Sequence, residues 1–314
     1  MNYADIWGLV RDAVKSWLED RGQSMGAALA YYTLFSLAPL LLIVISLAGL
    51  VFGADAARGE ILVQLRGLMG DTGASAIQGL LDSVRHPVKG VAATAVGLGA
   101  LVIGATSVFA ELQSIMDRVW RAPDPEGPAA AGLWRLLRAR LLSFGMILGI
   151  GFLLIVSLVF SAALTVLDHW LTPRLGGWLV AANVLNLALG FAMTSAMFAM
   201  IYKVMPRVHL RWDDVWLGAL VTATLFVVGK FLIGLYVSSS GLASGFGAAG
   251  SLVVVLVWVY YSAQIFLIGA EFTWVYAYRF GSRRGTPLPP VPTALGIRIA
   301  DPSQRASRSP VEQE

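Results

Sequence analysis

Six long apolar stretches constrain this chain more than any other feature. They run over residues 29–52, 91–110, 141–167, 178–202, 215–237 and 248–276. A helix needs about 20 residues to cross a hydrocarbon core of about 30 Å. Hydrocarbon offers the backbone no hydrogen-bond partner, so a spanning segment must satisfy its own N–H and C=O groups. The expected fold class is therefore all-α: a polytopic membrane protein with six transmembrane helices. Composition agrees, since 13% of the 314 residues are charged and 57% are hydrophobic, whereas a soluble domain carries about a quarter charged residues. Pro39 interrupts the first span and predicts a local kink, because proline leaves a carbonyl unpaired.

The basic residues sort by side. Arg11, Lys15 and Arg21 precede the first span. Arg118, Arg121, Arg135, Arg138 and Arg140 follow the second. Lys203, Arg207 and Arg211 follow the fourth, and six arginines lie beyond the sixth. That places 17 on one side against 5 on the other, with Lys230 inside a span. Basic loops stay in the cytoplasm, so both termini are expected there. No small-residue cleavage site precedes the first span, and no secretory leader is expected.

Three parts are expected outside the bilayer core. Residues 1–28 carry Ile6, Trp7, Val10, Val14, Trp17 and Leu18 on one helical face. This amphipathic N-terminal helix either lies in the interface or packs on the ends of the bundle. Between the first two spans, Ile61, Leu65 and Leu68 form one stripe and Ile77, Leu80, Leu81 and Val84 a second. Gly70, Asp71, Thr72 and Gly73 separate them, which predicts an external helical hairpin over 54–90, as a lid or a simple cover. The membrane domain then spans 29–280. Residues 281–314 are rich in Pro, Arg and Ser and are expected to form a disordered cytoplasmic tail.

Polar groups inside spans are costly and mark candidate sites. Tyr260, Gln264 and Glu271 share one broad face of the sixth span. Glu271 reads as a proton or cation site, as the partner of an arginine or a helix end, or as a snorkelling carboxylate. Lys230 either snorkels outward or attracts an anionic headgroup. Depth along the helices separates Lys230 from Glu271 by about 10 Å or more, so a direct salt bridge is not expected. Tyr31 and Tyr32 near the start of the first span, and Asn183 and Asn186 in the fourth, are further candidates for a polar crevice. Interhelical hydrogen bonds account for such groups equally well. Gly145 and Gly149 form a GxxxG pair suited to close packing, which names no particular partner because membrane helices are glycine-rich, and glycine-rich contacts also admit a homodimer.

Soluble catalytic chemistry finds no support. Cys is absent, and the three His residues, His86, His169 and His209, lie far apart. No HExxH, Walker A or GxSxG pattern occurs. No cofactor, metal or nucleic-acid partner is expected, and neither is an enzyme. Membrane lipids are the expected partners, with an envelope protein as a further candidate.

The segment GAALAYYTLFSLAPLLLI at 26–43 resembles the YihY/virulence factor BrkB family, once labelled ribonuclease BN-like. So do 202–236 and WVYYSAQIFLIGAEFTWVY at 258–276. The likeness runs over about 17–279 and implies a multi-pass inner-membrane protein. It supplies no catalytic set. The older nuclease label has no chemical support in these residues. Together these features predict a transporter or flippase-like protein for a lipid or other amphiphile, without ATP hydrolysis of its own. An envelope scaffold and an ion or small-solute channel are the alternatives.

Overall fold

A computed structural model describes residues 2–83, 107–123, 145, 149, 178–240 and 250–287. Among the described residues the fold is all-α. Its helices are α1 (Tyr3–Glu19), α2 (Gly22–Phe52), α3 (Ala54–Ser83), α4 (107–119), α5 (Trp178–Val204), α6 (Trp212–Ser239) and α7 (Gly250–Arg279). Three described segments are long and apolar enough to cross a membrane: Leu187–Val204, Trp212–Val237 and Leu252–Arg279. They correspond to the expected fourth, fifth and sixth spans. The third expected span and most of the second lie outside the described residues, apart from Gly145 and Gly149. A Cβ added at Gly149 would lie 3.0 Å from Met200 Sδ of α5, while one added at Gly145 would meet no described residue within 4 Å.

α7 is the central element and touches α1, α2, α3 and α6, and α6 in turn packs on α5. Hydrocarbon is no worse a solvent for leucine than another helix is. Close packing and interhelical hydrogen bonds therefore hold spanning helices together, at about 0.6–2 kcal/mol per bond. The α5–α6–α7 contact shows both. Tyr202 is fully buried, lies 3.0 Å from Thr222 Oγ1, and donates to the Phe266 carbonyl at 2.8 Å. Thr222 donates back to the Gly218 carbonyl at 2.7 Å. Gly218 faces Thr273, Gly269 faces Thr222 and Tyr202, and Gly229 faces Ile265 and Tyr261. Side chains pack here directly onto bare backbone, and the three contacts fix an antiparallel α6–α7 register.

The external hairpin is not formed as expected. The helix α3 runs unbroken through Gly70, Asp71, Thr72 and Gly73, and the reversal sits instead at Gly53, whose φ is +86°. Glycine costs a helix about 1 kcal/mol, but breaking α3 there would strand backbone groups against apolar neighbours. Ala76, Ile77 and Leu81 are buried against Leu41 of α2 and Val255 of α7. This contact is continuous with Ile61 and Leu65 of the first predicted stripe, so one helix serves both. Residues 84–90 of the expected hairpin lie outside the described ones. Likewise α2 continues through Pro39 as helix.

α1 forms, but a different face is buried. Leu9, Ala13 and Ser16 pack inward, whereas Ile6, Trp7, Val10, Val14 and Leu18 are exposed. The smaller, polar-tipped stripe fits the bundle because α1 approaches α7 closely. The bulky stripe faces outward.

Candidate functional site

The segments flanking the spans meet at one end of the bundle. Arg279 at the end of α7 donates to Asp12 of α1 at 2.8 Å. Asp117 of α4 accepts the Arg207 backbone N–H at 2.8 Å and pairs with its guanidinium at 3.1 Å. Asp214, buried in the first turn of α6, accepts the Ser282 backbone N–H at 3.2 Å. Arg283 donates to the His209 carbonyl at 3.2 Å. The basic segments that the charge distribution assigned to one side are thus in mutual contact.

Beneath this rim lies a buried polar cluster drawn from three places. The last turn of α1 supplies Ser16, and Asp20 follows directly, its N–H bonded to the Ser16 carbonyl at 2.9 Å. The helix α7 supplies Glu271 and, one turn on, Trp274, three residues apart and so on the same face. The end of α4 supplies Arg118, Trp120 and Arg121. The turns that deliver Asp20 and Arg121 both hold a non-glycine residue in the left-handed region, Arg21 at φ 58° and Arg121 at φ 48°. Such a conformation costs of order 1–3 kcal/mol and persists only where surrounding packing imposes it.

Glu271 and Asp20 are each 0% exposed, and none of their four carboxyl oxygens has a hydrogen-bond partner among the described residues. The two carboxyl groups adjoin, close enough to feel each other's charge, with Ser16 and Arg121 also beside Glu271. The Ser16 hydroxyl is itself without a hydrogen-bond partner among the described residues. Burial pushes the Asp20 carboxyl above the usual carboxylate range, against the opposing pull of Arg121 and Arg118. Arg121 lies 4.2 Å over the Trp274 ring, a contact worth about 0.5–2 kcal/mol. Burial likewise raises Asp117, opposed by Arg207. Among the described residues no group of three His, Asp or Glu side chains could hold a metal.

The expected site residues divide. Gln264 faces the start of α2: its Nε2 lies 3.4 Å from the Gln23 carbonyl, directly over Gly26, and its Oε1 is buried without a partner among the described residues. Gln264 and Glu271 therefore both face the α1–α2 segment, about 10 Å apart along α7. Tyr260, one turn before Gln264, is 37% exposed. Tyr31 and Tyr32 are exposed on α2, where Tyr31 rests against Tyr32 and Phe35. Lys230 lies on the exposed face of α6 and is engaged by a neighbouring group. The α6–α7 register sets it level with Tyr261, about 15 Å along α7 from Glu271. Asn183 and Asn186 fall in the first turns of α5, and their side-chain settings lie outside the described residues.

Sequence reasoning singled out Glu271 but missed Ser16 and Asp20, and it used Arg121 only as a topogenic charge. A signal was present. Leu9, Ala13, Ser16 and Asp20 recur at i, i+4, i+7 and i+11, a small and increasingly polar stripe beside the bulkier apolar one.

Comparison with known proteins follows the same residues. The chain is 28% identical over 272 residues to a UPF0761 membrane protein of Rhodospirillum centenum, covering 86% of this chain and 57% of that one. It is 28% identical over 260 residues to one from Tolumonas auensis, covering 81% and 80%. It is 26% identical over 312 residues to one from Azotobacter vinelandii, covering 97% and 71%. The chain thus spans just over half the length of the first of these relatives. No solved structure matches the chain significantly. The family model described as virulence factor BrkB matches residues 13–291, a stretch that includes Ser16, Asp20, Arg121 and Glu271, and the chain is therefore a multi-pass inner-membrane protein belonging to that family.

Proposed function

We propose that this protein is a transporter without ATP hydrolysis of its own, moving a lipid or other amphiphile across the inner membrane, with both termini in the cytoplasm. The observation that carries the reading is the buried Asp20–Glu271 pair at the junction of a spanning helix with a peripheral one. A buried carboxylate without a direct hydrogen-bond partner costs on the order of a few kcal/mol, which nearby arginines offset only in part. A purely structural bundle gains nothing from two unpartnered carboxyl groups, whereas a protein that changes state at this junction can use them. Gln264 extends the polar face along α7. In this reading Tyr31 and Tyr32, exposed on α2, meet the lipid, and Lys230 offers a positive charge to an anionic group nearer the far leaflet. The gathering of basic segments at one end, with the positive-inside rule, supports the orientation.

The test is reconstitution into liposomes carrying labelled lipids, with quenching of the label in the outer leaflet. Protein-dependent movement that falls at least tenfold in Glu271→Gln is expected. A correctly inserted protein that moves no labelled lipid overturns the reading. One observation favours a scaffold instead: the outward face of α1, with Tyr3, Trp7 and Leu18 exposed, suits an envelope protein or a second copy. Stoichiometric co-purification with such a partner, without flux, would decide for it.

A further inference from the structure

We propose that Asp20 and Glu271 form one proton-binding site, a carboxyl–carboxylate pair that takes up and releases a single proton at the junction of α1 with α7. Two carboxylates side by side in a desolvated site cannot both ionise without severe repulsion, and sharing one proton is the known way out. The geometry demands a donor. All four oxygens are buried and have no hydrogen-bond partner among the described residues, and a carboxylate is acceptor-only. Protonating either group supplies the missing O–H, which its neighbour can accept.

The charged groups acting on the pair come from two further places. Arg118 and Arg121 stand at the end of α4, and Glu19 adds a like charge from α1. The guanidiniums prevent both carboxyls from staying protonated at once. They also oppose a metal cation, which would bring positive charge without adding a hydrogen-bond donor. With the proton bound, one remaining carboxylate faces the two arginines. Without it, two do. Binding therefore shifts the local charge by one at the place where Arg121 stacks on Trp274. No bond other than O–H forms or breaks, and the proton comes from water at the rim.

In a transporter this site would couple uptake of a proton to exposure of an arginine for an anionic headgroup. That coupling role rests on the transporter reading; the proton site itself does not. The test is infrared difference spectroscopy of the reconstituted full chain across a pH titration. Ordinary carboxylates ionise near pH 4. The wild type should show a protonated-carboxyl carbonyl band near pH 7, removed in Glu271→Gln and weakened or moved to lower pH in Asp20→Asn. Absence of the band in the wild type at neutral pH overturns the proposal, whether or not the variants fold. So does a band that both well-folded variants leave unchanged, or one that sodium ions abolish at constant pH. A band of the expected behaviour in a protein that moves no lipid would sink the transporter reading and leave the proton site standing.

Discussion

Replacing Gly269 with alanine should loosen the α5–α6–α7 contact more than its single added methyl group suggests. The new Cβ would stand 2.0 Å from Thr222 Oγ1 and 2.7 Å from the Tyr202 hydroxyl. Ordinary contact begins near 3.4 Å, so the threonine oxygen would have to retreat by about 1.4 Å. It has little room, because Thr222 and Tyr202 are both 0% exposed. Retreat also disturbs the contact between those two hydroxyls and the bond from Tyr202 to the Phe266 carbonyl. Overpacking costs about 1–3 kcal/mol and an interhelical hydrogen bond about 0.6–2, giving about 2–5 kcal/mol in total. Thermal denaturation in detergent, followed by tryptophan fluorescence, should show a Tm several degrees below wild type. Gly234→Ala on α6 is the matched control. Its Cβ would meet no described residue within 4 Å, and the better helix propensity should leave Tm unchanged or slightly raised. Equal Tm values for Gly269→Ala and wild type would refute the packing argument.

Other expectations follow from the same geometry. Burial raises Asp20 above its ordinary value of 3.8, so the fold favours the neutral acid. Stability from this group is fully present below that value and is lost as pH rises through the folded-state one. Asp20→Asn should therefore gain stability relative to wild type as pH rises, and a difference in Tm that shrinks with pH contradicts this. The chain has no cysteine, so single cysteines report topology directly. Asp55→Cys should react with an impermeant thiol reagent in intact cells, and Thr286→Cys only after permeabilisation; the reverse pattern would invert the proposed orientation. Breaking the Arg279–Asp12 contact with Asp12→Asn should change Tm by less than about 1 kcal/mol equivalent, because the pair is partly solvated. A loss of several kcal/mol would show that it is sequestered.

Much of the helical framework could be read from hydropathy alone. The predicted stretches 178–202, 215–237 and 248–276 nearly coincide with α5, α6 and α7, because spanning length and apolar composition are set by the bilayer. The turn between α2 and α3 could not be placed in this way. Gly70–Gly73 looks like a stronger break than Gly53, yet helix continuity is decided by what packs alongside, and Ile77 and Leu81 have α2 and α7 beside them. The face that α1 turns to the bundle was not visible for a related reason. Bulk and apolarity marked Ile6, Trp7, Val10 and Leu18, while close approach to α7 selects Leu9, Ala13 and Ser16. Glu271 was visible as a carboxylate within a span. Its partner Asp20 lies 251 positions earlier in the chain, and only folding brings a helix terminus against the last span. Lys230 and the Tyr31–Tyr32 pair share no cluster with Glu271; being polar in a span marks a residue but not its neighbours.

The most direct measurement is transbilayer movement of labelled anionic lipid in proteoliposomes, with and without an imposed pH gradient, for wild type and Glu271→Gln. The account predicts protein-dependent movement that the gradient accelerates in wild type and that the variant loses. Movement equal in both proteins, or none in folded wild type under either condition, would contradict it.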